Sequence, residues 1–398
     1  MILIKNAKID TMKTSRIEKG CLAIKQGKIA YVGEDEAQAK AALQENTKDS
    51  FVEMDMKGMY VLPGLVEPHC HVGLWEDGQG MEGSDGNETT DPITPHLQGI
   101  DGVYHADRNF VEAREAGVTT LVTGPGSANV LGGQFAALKT TGRYVDEMIL
   151  KNPATMKTAF GENPKAVYTE KSQTPNTRMA TAALLREALE KTKEYKEKWD
   201  KHRQNPQEHD KPDVDVKLEA MLPVLERKLL LKAHAHRADD IMTAVRIAEE
   251  YNLDMTVEHC TEGHLIADVL KEKNVRPILG PLMLERSKPE LRNTDIKAPG
   301  ILSAAGIKIA IMTDHPCLPI QYLLLSAAMA HKEGMGAKEA LEAITINAAE
   351  FCGIDDRVGS LEVGKDADVV VFDKEPLDFT TKVQYTIING EIVFDAKG

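Results

Sequence analysis

Both ends of the chain carry short apolar runs, several of which alternate with polar residues as β-strands with one buried face do. These runs are residues 2–4, 21–24, 29–32, 368–372, 385–388 and 392–394. The last two flank Asn389-Gly390, a pair that suits the positive φ angles of a tight hairpin turn. We therefore predict that the two ends of the chain pair into one small β-domain.

The middle of the chain alternates between strand-like and helix-like segments. Strand-like runs occupy residues 119–123, 229–234, 255–259, 275–279 and 307–313, and helical periodicity occupies residues 239–251, 320–332 and 338–351. Alternating βα units predict a parallel sheet. A doubly wound sheet would normally carry a glycine-rich phosphate-binding fingerprint after its first strand, and the sequence has none.

The expected architecture is therefore α/β, with a (β/α)8 TIM-like barrel over residues 61–351. Residues 1–60 and 352–398 are expected to form a small β-sandwich domain beside it. Residues 181–219, rich in Glu and Lys, are predicted to be a surface insertion with an exposed helix. Residues 71–98 form a glycine-rich, acidic loop that we interpret as a lid. Its carboxylates would either attract a substrate with an amine or guanidinium group or simply keep the lid soluble.

Composition narrows the class of partner. The 398 residues carry 48 Lys and Arg against 62 Asp and Glu, a formal charge of −14, which argues against nucleic acid and anionic membranes. We expect no signal peptide, and the sequence has no apolar run of membrane-spanning length. Its five cysteines are scattered without a CxxC pair, as reduced thiols would be. We expect a cytoplasmic protein with a small-molecule substrate, and self-association stays open.

Two histidines that are two residues apart suggest a metal site. His69 and His71 follow Pro63-Gly64 at the end of an apolar run. On a strand, residues i and i+2 project to the same side, so both imidazoles can reach one ion. Taken alone, such a pair is more often a surface or core feature than a metal site.

The ends of later predicted strands supply more ligands of the same kind. One strand ends at His234, the next at His259, and the last at Asp314. In a (β/α)8 barrel the carboxyl ends of the strands converge on the face that holds the active site. We therefore predict a metal site there, with zinc as the first choice because hydrolytic zinc uses such ligands and an open position. Beyond the strand end, His236 is interpreted as a turn residue.

At these residues the chain resembles the amidohydrolase superfamily, in particular imidazolonepropionase-like hydrolases and related dipeptidases. The resemblance also includes Asn-Ala-Ala-Glu at residues 347–350 and the run Gly-Ser-Leu-Glu-Val-Gly-Lys-Asp-Ala-Asp at residues 359–368. It implies metal-activated water, with ligands at His69, His71, His234 and Asp314.

The resemblance also implies individual roles. Asp314 would move the proton of the attacking water, and His259 would be either a second ligand or a catalytic imidazole. Two-metal members of the superfamily bridge their ions with a carboxylated lysine on the fourth strand. Lys157 matches that position best and Lys139 matches it less well, so one ion or two remain open.

The expected function is metal-dependent hydrolysis of a C–N bond in a small molecule, such as an amide, a cyclic amide or a peptide-like bond. Two alternatives stay open: a non-catalytic binding protein with the same fold, and an aminohydrolase that deaminates its substrate. Imidazolonepropionases carry an acidic residue shortly after this histidine and deaminases a Glu close behind theirs, whereas here His234 is followed by Ala-His-Arg-Ala-Asp, which weakens both assignments. The substrate is therefore not identified by the sequence.

Overall fold

The computed structural model describes residues 1–44 and 50–398, and the strands in these ranges form two sheets of eight. The strands are β1 (Ile2–Ile9), β2 (Ile17–Lys25), β3 (Lys28–Gly33), β4 (Val52–Asp55), β5 (Tyr60–Pro63), β6 (Leu65–Cys70), β7 (Val118–Thr123), β8 (Leu131–Lys139), β9 (Ile149–Ala159), β10 (Leu230–Ala235), β11 (Met255–His259), β12 (Pro277–Leu279), β13 (Ala310–Ile311), β14 (Val369–Phe372), β15 (Val383–Ile388) and β16 (Glu391–Asp395). The helices are α1 (Glu36–Gln44), α2 (Arg108–Glu115), α3 (Val145–Met148), α4 (Glu162–Glu170), α5 (Arg178–Gln204), α6 (Val216–Leu225), α7 (Ala238–Tyr251), α8 (Ala267–Glu272), α9 (Ala298–Ala304), α10 (Leu323–Lys332), α11 (Ala337–Glu342) and α12 (Ile346–Cys352).

The first sheet joins the two ends of the chain, as predicted. Its strand order is β16-β15-β14-β5-β1-β2-β3, with β4 paired to β1. The seam between the two ends is the antiparallel pair β5 and β14, in which Leu62 lies opposite Val370. Apolar side chains from both ends, including Ile4, Leu22 and Val369, are buried together in its core. A separate β-domain thus forms from distant parts of the sequence.

The second sheet, β6 to β13 in chain order, is a nearly closed barrel. Its first and last strands are joined by the carboxylate of Glu67, which accepts hydrogen bonds from the backbone N (2.8 Å) and Oγ1 (2.7 Å) of Thr313. The backbone N of His71 donates to the carbonyl O of His315 at 2.9 Å. These bonds hold the ends of β6 and β13 together at the rim of the barrel.

One strand of the barrel departs from the expected parallel arrangement. β8 is antiparallel to both β7 and β9. A parallel return needs a crossover of a dozen or more residues, whereas residues 124–130 connect β7 to β8 directly. Residues 124–134 have the glycine-rich composition of a loop, but the last four of them, residues 131–134, are the start of β8.

The helices cover the outside of the barrel. The longest, α5, begins after Thr177, whose Oγ1 accepts a hydrogen bond from the backbone N of Ala180. It buries Leu185 and Leu189 and contacts α6 and α7, so one face of the predicted surface insertion contributes to the core. Across residues 1–44 and 50–398, no helix combines the length and apolarity that a bilayer span requires.

An ionic cluster around the buried carboxylates of Asp366 and Asp368 fastens the barrel to the β-domain. Lys139, at the end of β8, forms ion pairs with Asp368 and with Asp366, the latter at 3.1 Å. Asp366 also accepts two hydrogen bonds from the guanidinium of Arg357 and pairs with Lys28 at 2.6 Å. We name these five residues the junction cluster. Because Lys139 lies opposite Thr120, near the start of β7, the cluster lies at the end of the barrel away from the carboxyl ends of its parallel strands.

Candidate metal centre

Two histidines extend from the carboxyl end of β6. The strand is buried along its whole length, so His69 faces the barrel interior and His71 lies just beyond the last strand residue. The Nδ1 of His71 lies 2.7 Å from the carbonyl O of Gly124, which makes Nδ1 the protonated nitrogen. The Nε2 lone pair of His71 is therefore available for a metal ion.

Asp314 completes a first group with these histidines. Its Oδ1 lies 3.2 Å from Nε2 of His71 and 3.5 Å from Nε2 of His69. The backbone of Asp314 has a φ of 52°, in the left-handed region that non-glycine residues seldom adopt. Such backbone strain persists where the surroundings enforce it, often at functional sites. The strained backbone turns this carboxylate toward the two imidazoles, and we name the three residues group one.

The carboxyl ends of β10 and β11 supply group two, which consists of His234, His236 and His259. The ring of His259 lies with its centroid 4.4 Å from each of the other two rings. Its Nδ1 lies 2.8 Å from the carbonyl O of Gly280, which leaves Nε2 available, and its φ is also positive at 65°. Ligand atoms within each group lie within 4.8 Å of one another, so each group can surround one ion.

The position of His236 was wrongly interpreted from the sequence. It is buried, stacks on His259, and places its Nδ1 2.8 Å from Oγ1 of Thr261, so it is not a solvated turn residue. The prediction failed because β10 extends one residue beyond His234, which keeps His236 on the side of the sheet that His234 faces. The signal was present, since His234-Ala235-His236 repeats the spacing of the first histidine pair.

Lys157 lies between the strands that carry the histidines. It projects from β9, is 1% exposed, and its Nζ lies 3.3 Å from Nε2 of His69. Burial lowers the pKa of this lysine to about 8. Lys139, the weaker candidate of the sequence, belongs to the junction cluster and does not reach either group.

Glu258 is a buried carboxylate beside His69 that was not identified from the sequence. Oε2 of Glu258 lies 3.0 Å from Nδ1 of His69 and 3.2 Å from Nζ of Lys232, and all three side chains are fully buried. Although burial opposes ionisation, Lys232 and His69 hold the pKa of Glu258 well below its usual value. A carboxylate on Nδ1 fixes the orientation of an imidazole and leaves its Nε2 free to bind a metal ion.

Burial keeps His69 and the three imidazoles of group two uncharged. It lowers the pKa of His69, brings the pKa of His259 to about 3, and holds the pKa values of His234 and His236 well below 6.5. Burial alone would raise the pKa of Asp314, but the imidazoles of His69 and His71 beside its Oδ1 outweigh this effect and hold the pKa well below its usual value. Neutral imidazoles and an ionised carboxylate are the forms that bind divalent cations.

Both groups open into a cavity of about 340 Å³. The residues 71–98 loop contributes Trp75 and Asn87 to its lining, and Trp75 packs edge-on against His71 with ring centroids 4.7 Å apart. The loop carboxylates at 76, 77, 82, 85, 88 and 91 are not among the lining residues. The structure therefore favours the solubility explanation for the acidic loop over attraction of a cationic substrate.

Comparisons with known proteins extend over nearly the whole chain. The pattern of the amidohydrolase family matches residues 60–393. Among sequence relatives, amidohydrolase tasK of Hapsidospora irregularis is 28% identical over 378 residues, which cover 89% of this chain but only 38% of that protein. Imidazolonepropionase of Alkaliphilus metalliredigens is 24% identical, and the match covers 97% of this chain and 93% of that enzyme.

A solved structure resembles the chain more strongly. The crystal structure of an amidohydrolase from Thermotoga maritima superimposes with a TM-score of 0.92 at 39% sequence identity. The match covers 99% of this chain and all of the other. The barrel and the β-domain are thus shared together, in one arrangement.

Proposed function

Because the chain belongs to the amidohydrolase family and is therefore a hydrolase of C–N bonds, we propose that it cleaves an amide, cyclic amide or peptide-like bond of a small molecule with the help of bound zinc. The observation that carries this proposal is the pair of ligand groups at the carboxyl ends of the barrel strands. This family is metal-dependent, and the two groups are where this chain would hold its metal.

The donor atoms fit a divalent metal. His71 and His259 each place Nδ1 against a carbonyl oxygen and so leave Nε2 unprotonated. Nδ1 of His234 is buried and has no hydrogen-bond partner among the described residues, a costly arrangement that a bound cation would relieve. Imidazole and carboxylate donors are typical of catalytic zinc.

The reaction follows from these residues. A divalent cation, when bound, activates water and polarises the scissile carbonyl. Asp314 accepts a proton from the water as its oxygen bonds to the carbonyl carbon, and returns a proton to the nitrogen as the C–N bond breaks. The products are a carboxylic acid and an amine. His259 would hold a metal ion together with His234 and His236, or would contact the carbonyl oxygen if a single ion were bound.

We further propose two ions per chain, with Lys157 between them as a carbamate. The support is the presence of two groups and the location of Lys157 Nζ beside His69 in the cavity that both groups line. Lysine gains CO2 and loses a proton to become a carbamate, whose anionic oxygens would offset the repulsion between two cations. Lys157→Ala should lower the metal content, and short carboxylic acids should partly restore it. Lys139→Met, which alters the junction cluster instead, should leave the metal content unchanged.

The general proposal is tested by stripping the protein with a chelator and assaying N-acyl amino acids, dipeptides and cyclic amides before and after zinc is restored. We expect hydrolysis of at least one class, lost on stripping and regained with zinc. A fully metallated protein that hydrolyses none of them would support the non-catalytic alternative.

A further inference from the structure

A lysine at the cavity wall is not used by the proposed hydrolysis. Lys288 lies in the loop that follows β12, and it lines the cavity together with the histidines of group two. Its Nζ lies 2.6 Å from Oε1 of Glu290 and 2.9 Å from Oδ1 of Asn163. An ammonium group has three N–H donors, so the ion pair with Glu290 and the hydrogen bond to Asn163 leave at least one N–H for a ligand.

The position of this ammonium group is held by buried partners. Glu290 is 1% exposed, and its Oε2 accepts a hydrogen bond from the backbone N of Glu162 at 3.0 Å. The amide nitrogen of Asn163 donates to Oγ of Ser127 at 2.7 Å and lies 3.4 Å from Nε2 of His234. A single carboxamide therefore separates the ammonium group from group two, which places a fixed cation beside the reacting centre.

Other charged groups on the wall do not offer an equivalent cation. Lys157 is the second lysine of the lining, and the proposed function places it between the ions. Two other carboxylates line the cavity outside group one. Oδ1 of Asp295 accepts a hydrogen bond from the backbone N of Lys297 at 2.9 Å, and Glu285 is exposed to solvent. An anionic group of a ligand would therefore be drawn to Lys288.

The loop that carries Lys288 also supplies an apolar surface. Three leucines of the same segment line the cavity, next to Leu279 at the end of β12. We name them the leucine wall: Leu282, Leu284 and Leu291. An anion and a hydrocarbon group that bind there must lie close together in the ligand. The α-carbon of an apolar amino acid carries a carboxylate and an apolar side chain at that spacing.

We propose that the substrates are N-acyl or N-peptidyl derivatives of apolar amino acids, with Lys288 binding the α-carboxylate and the leucine wall holding the side chain. This inference rests on the proposed function and specifies its substrate class. Charge-assisted hydrogen bonds are stronger than neutral ones, so the carboxylate should contribute strongly to selection.

The test compares N-acetyl-L-leucine with N-acetyl-L-leucinamide, which lacks the negative charge. For the acid, Lys288→Met should lower kcat/KM by about 10- to 100-fold. For the leucinamide, kcat/KM should change less than about threefold. Lys288→Arg should retain most of the preference for the acid. N-acetylglycine should be a poorer substrate than N-acetyl-L-leucine by about tenfold or more, because the leucine wall is left uncovered.

Two further variants control for folding and for bulk charge. Lys288→Met leaves Glu290 buried without its partner, so the double variant Lys288→Met with Glu290→Gln removes both charges and should show the same loss of preference. Lys297→Met removes an exposed lysine of the same region that does not line the cavity, and should change neither rate.

The outcomes separate the two proposals. If amides are hydrolysed but the preference for the acid is the same in Lys288→Met as in the unaltered protein, Lys288 is only the counterion of Glu290 and the subsite is refuted. If no amide is hydrolysed, the proposed function fails, and calorimetric binding of the two compounds then decides the subsite. Tighter binding of the acid that is lost in Lys288→Met supports it, and equal binding overturns it.

Discussion

Each end of the barrel holds a cluster of charged or ionisable side chains. At one end the charges are paired with opposite charges, and at the other end ligand atoms lack such partners. In the junction cluster every carboxylate faces a lysine or arginine, and Asp366 alone has three cationic partners. In group two the imidazoles are uncharged, and Nδ1 of His234 has no partner among the described residues. Paired buried charges hold domains together, whereas buried ligands left without partners mark a place for a cation.

Backbone geometry separates the two ends in the same way. Asp314 and His259 of the ligand groups have positive φ angles, but none of the junction residues Lys28, Lys139, Arg357, Asp366 and Asp368 does. Strain of this kind costs about 1–3 kcal/mol per residue. The positive φ angles therefore fall on two of the proposed ligands and on none of the five junction residues.

The largest expected effect comes from removing a ligand of group one. His69→Ala or His71→Ala should abolish hydrolysis and lower the bound metal while the far-ultraviolet circular dichroism stays unchanged, because each removes one ligand from a preformed rim. His209→Ala, at an exposed histidine outside both groups, is the control. Near-normal turnover with full metal content in either variant would refute the assignment.

Asp314→Asn should separate proton transfer from ligand geometry. The amide keeps the shape of the side chain but cannot accept and return a proton, so kcat should fall by about 10²- to 10⁴-fold. Steady-state rates together with metal analysis measure this. A loss smaller than tenfold would mean that another group moves the proton.

Lys139→Met should show the reverse pattern, with lower stability and unchanged chemistry. Leaving Asp366 and Asp368 buried with one partner fewer should cost about 3–5 kcal/mol of unfolding free energy. Lys228→Met, which removes an exposed pair with Glu226, should cost less than about 1 kcal/mol. Urea denaturation measures both, and similar costs for the two variants would contradict the distinction.

The smallest effect concerns pH in the metal-free protein. The pKa of His259 is about 3 when folded but about 6.5 when unfolded, so the unfolded chain binds more protons between these values. The free energy of unfolding should therefore fall as pH falls from about 6.5 toward 3. Glu67 makes an opposing contribution, because burial raises its pKa to about 8.

Removing one such histidine should weaken this dependence. His236→Asn should reduce the slope of the unfolding free energy by up to about 1.4 kcal/mol per pH unit. Urea denaturation at pH 7 and pH 5 provides the measurement. An unchanged slope would show that His236 titrates normally in the folded protein.

Much of the architecture could be predicted from the sequence because the spacing of apolar and polar residues indicates individual strands and helices. The barrel, the β-domain from both ends and the β11 boundaries are confirmed, as is the resemblance to imidazolonepropionase-like amidohydrolases. The direction of β8 could not be predicted from the alternation of strand-like and helix-like segments. It depends on the short connection between β7 and β8, which leaves no room for a crossover helix. Lys338 to Phe351, expected as one helix, is split into α11 and α12.

The candidate site was only partly predictable for a similar reason. Histidines at strand ends are visible from spacing, and the structure brings His69, His71, His234, His259, Asp314 and Lys157 together as expected. Glu258 and Lys288 carry no motif, since their roles arise from contacts with residues 189 and 125 positions away, His69 and Asn163. Contacts of that range are set by the fold, and spacing along the chain does not encode them.

The most direct test of the account is the metal content of the purified chain, measured by elemental analysis while hydrolysis of an amide substrate is followed. We predict about two zinc ions per chain at full activity. Activity should fall in proportion to the amount of zinc that a chelator removes. Undiminished C–N hydrolysis by a chain that holds no metal would contradict the account.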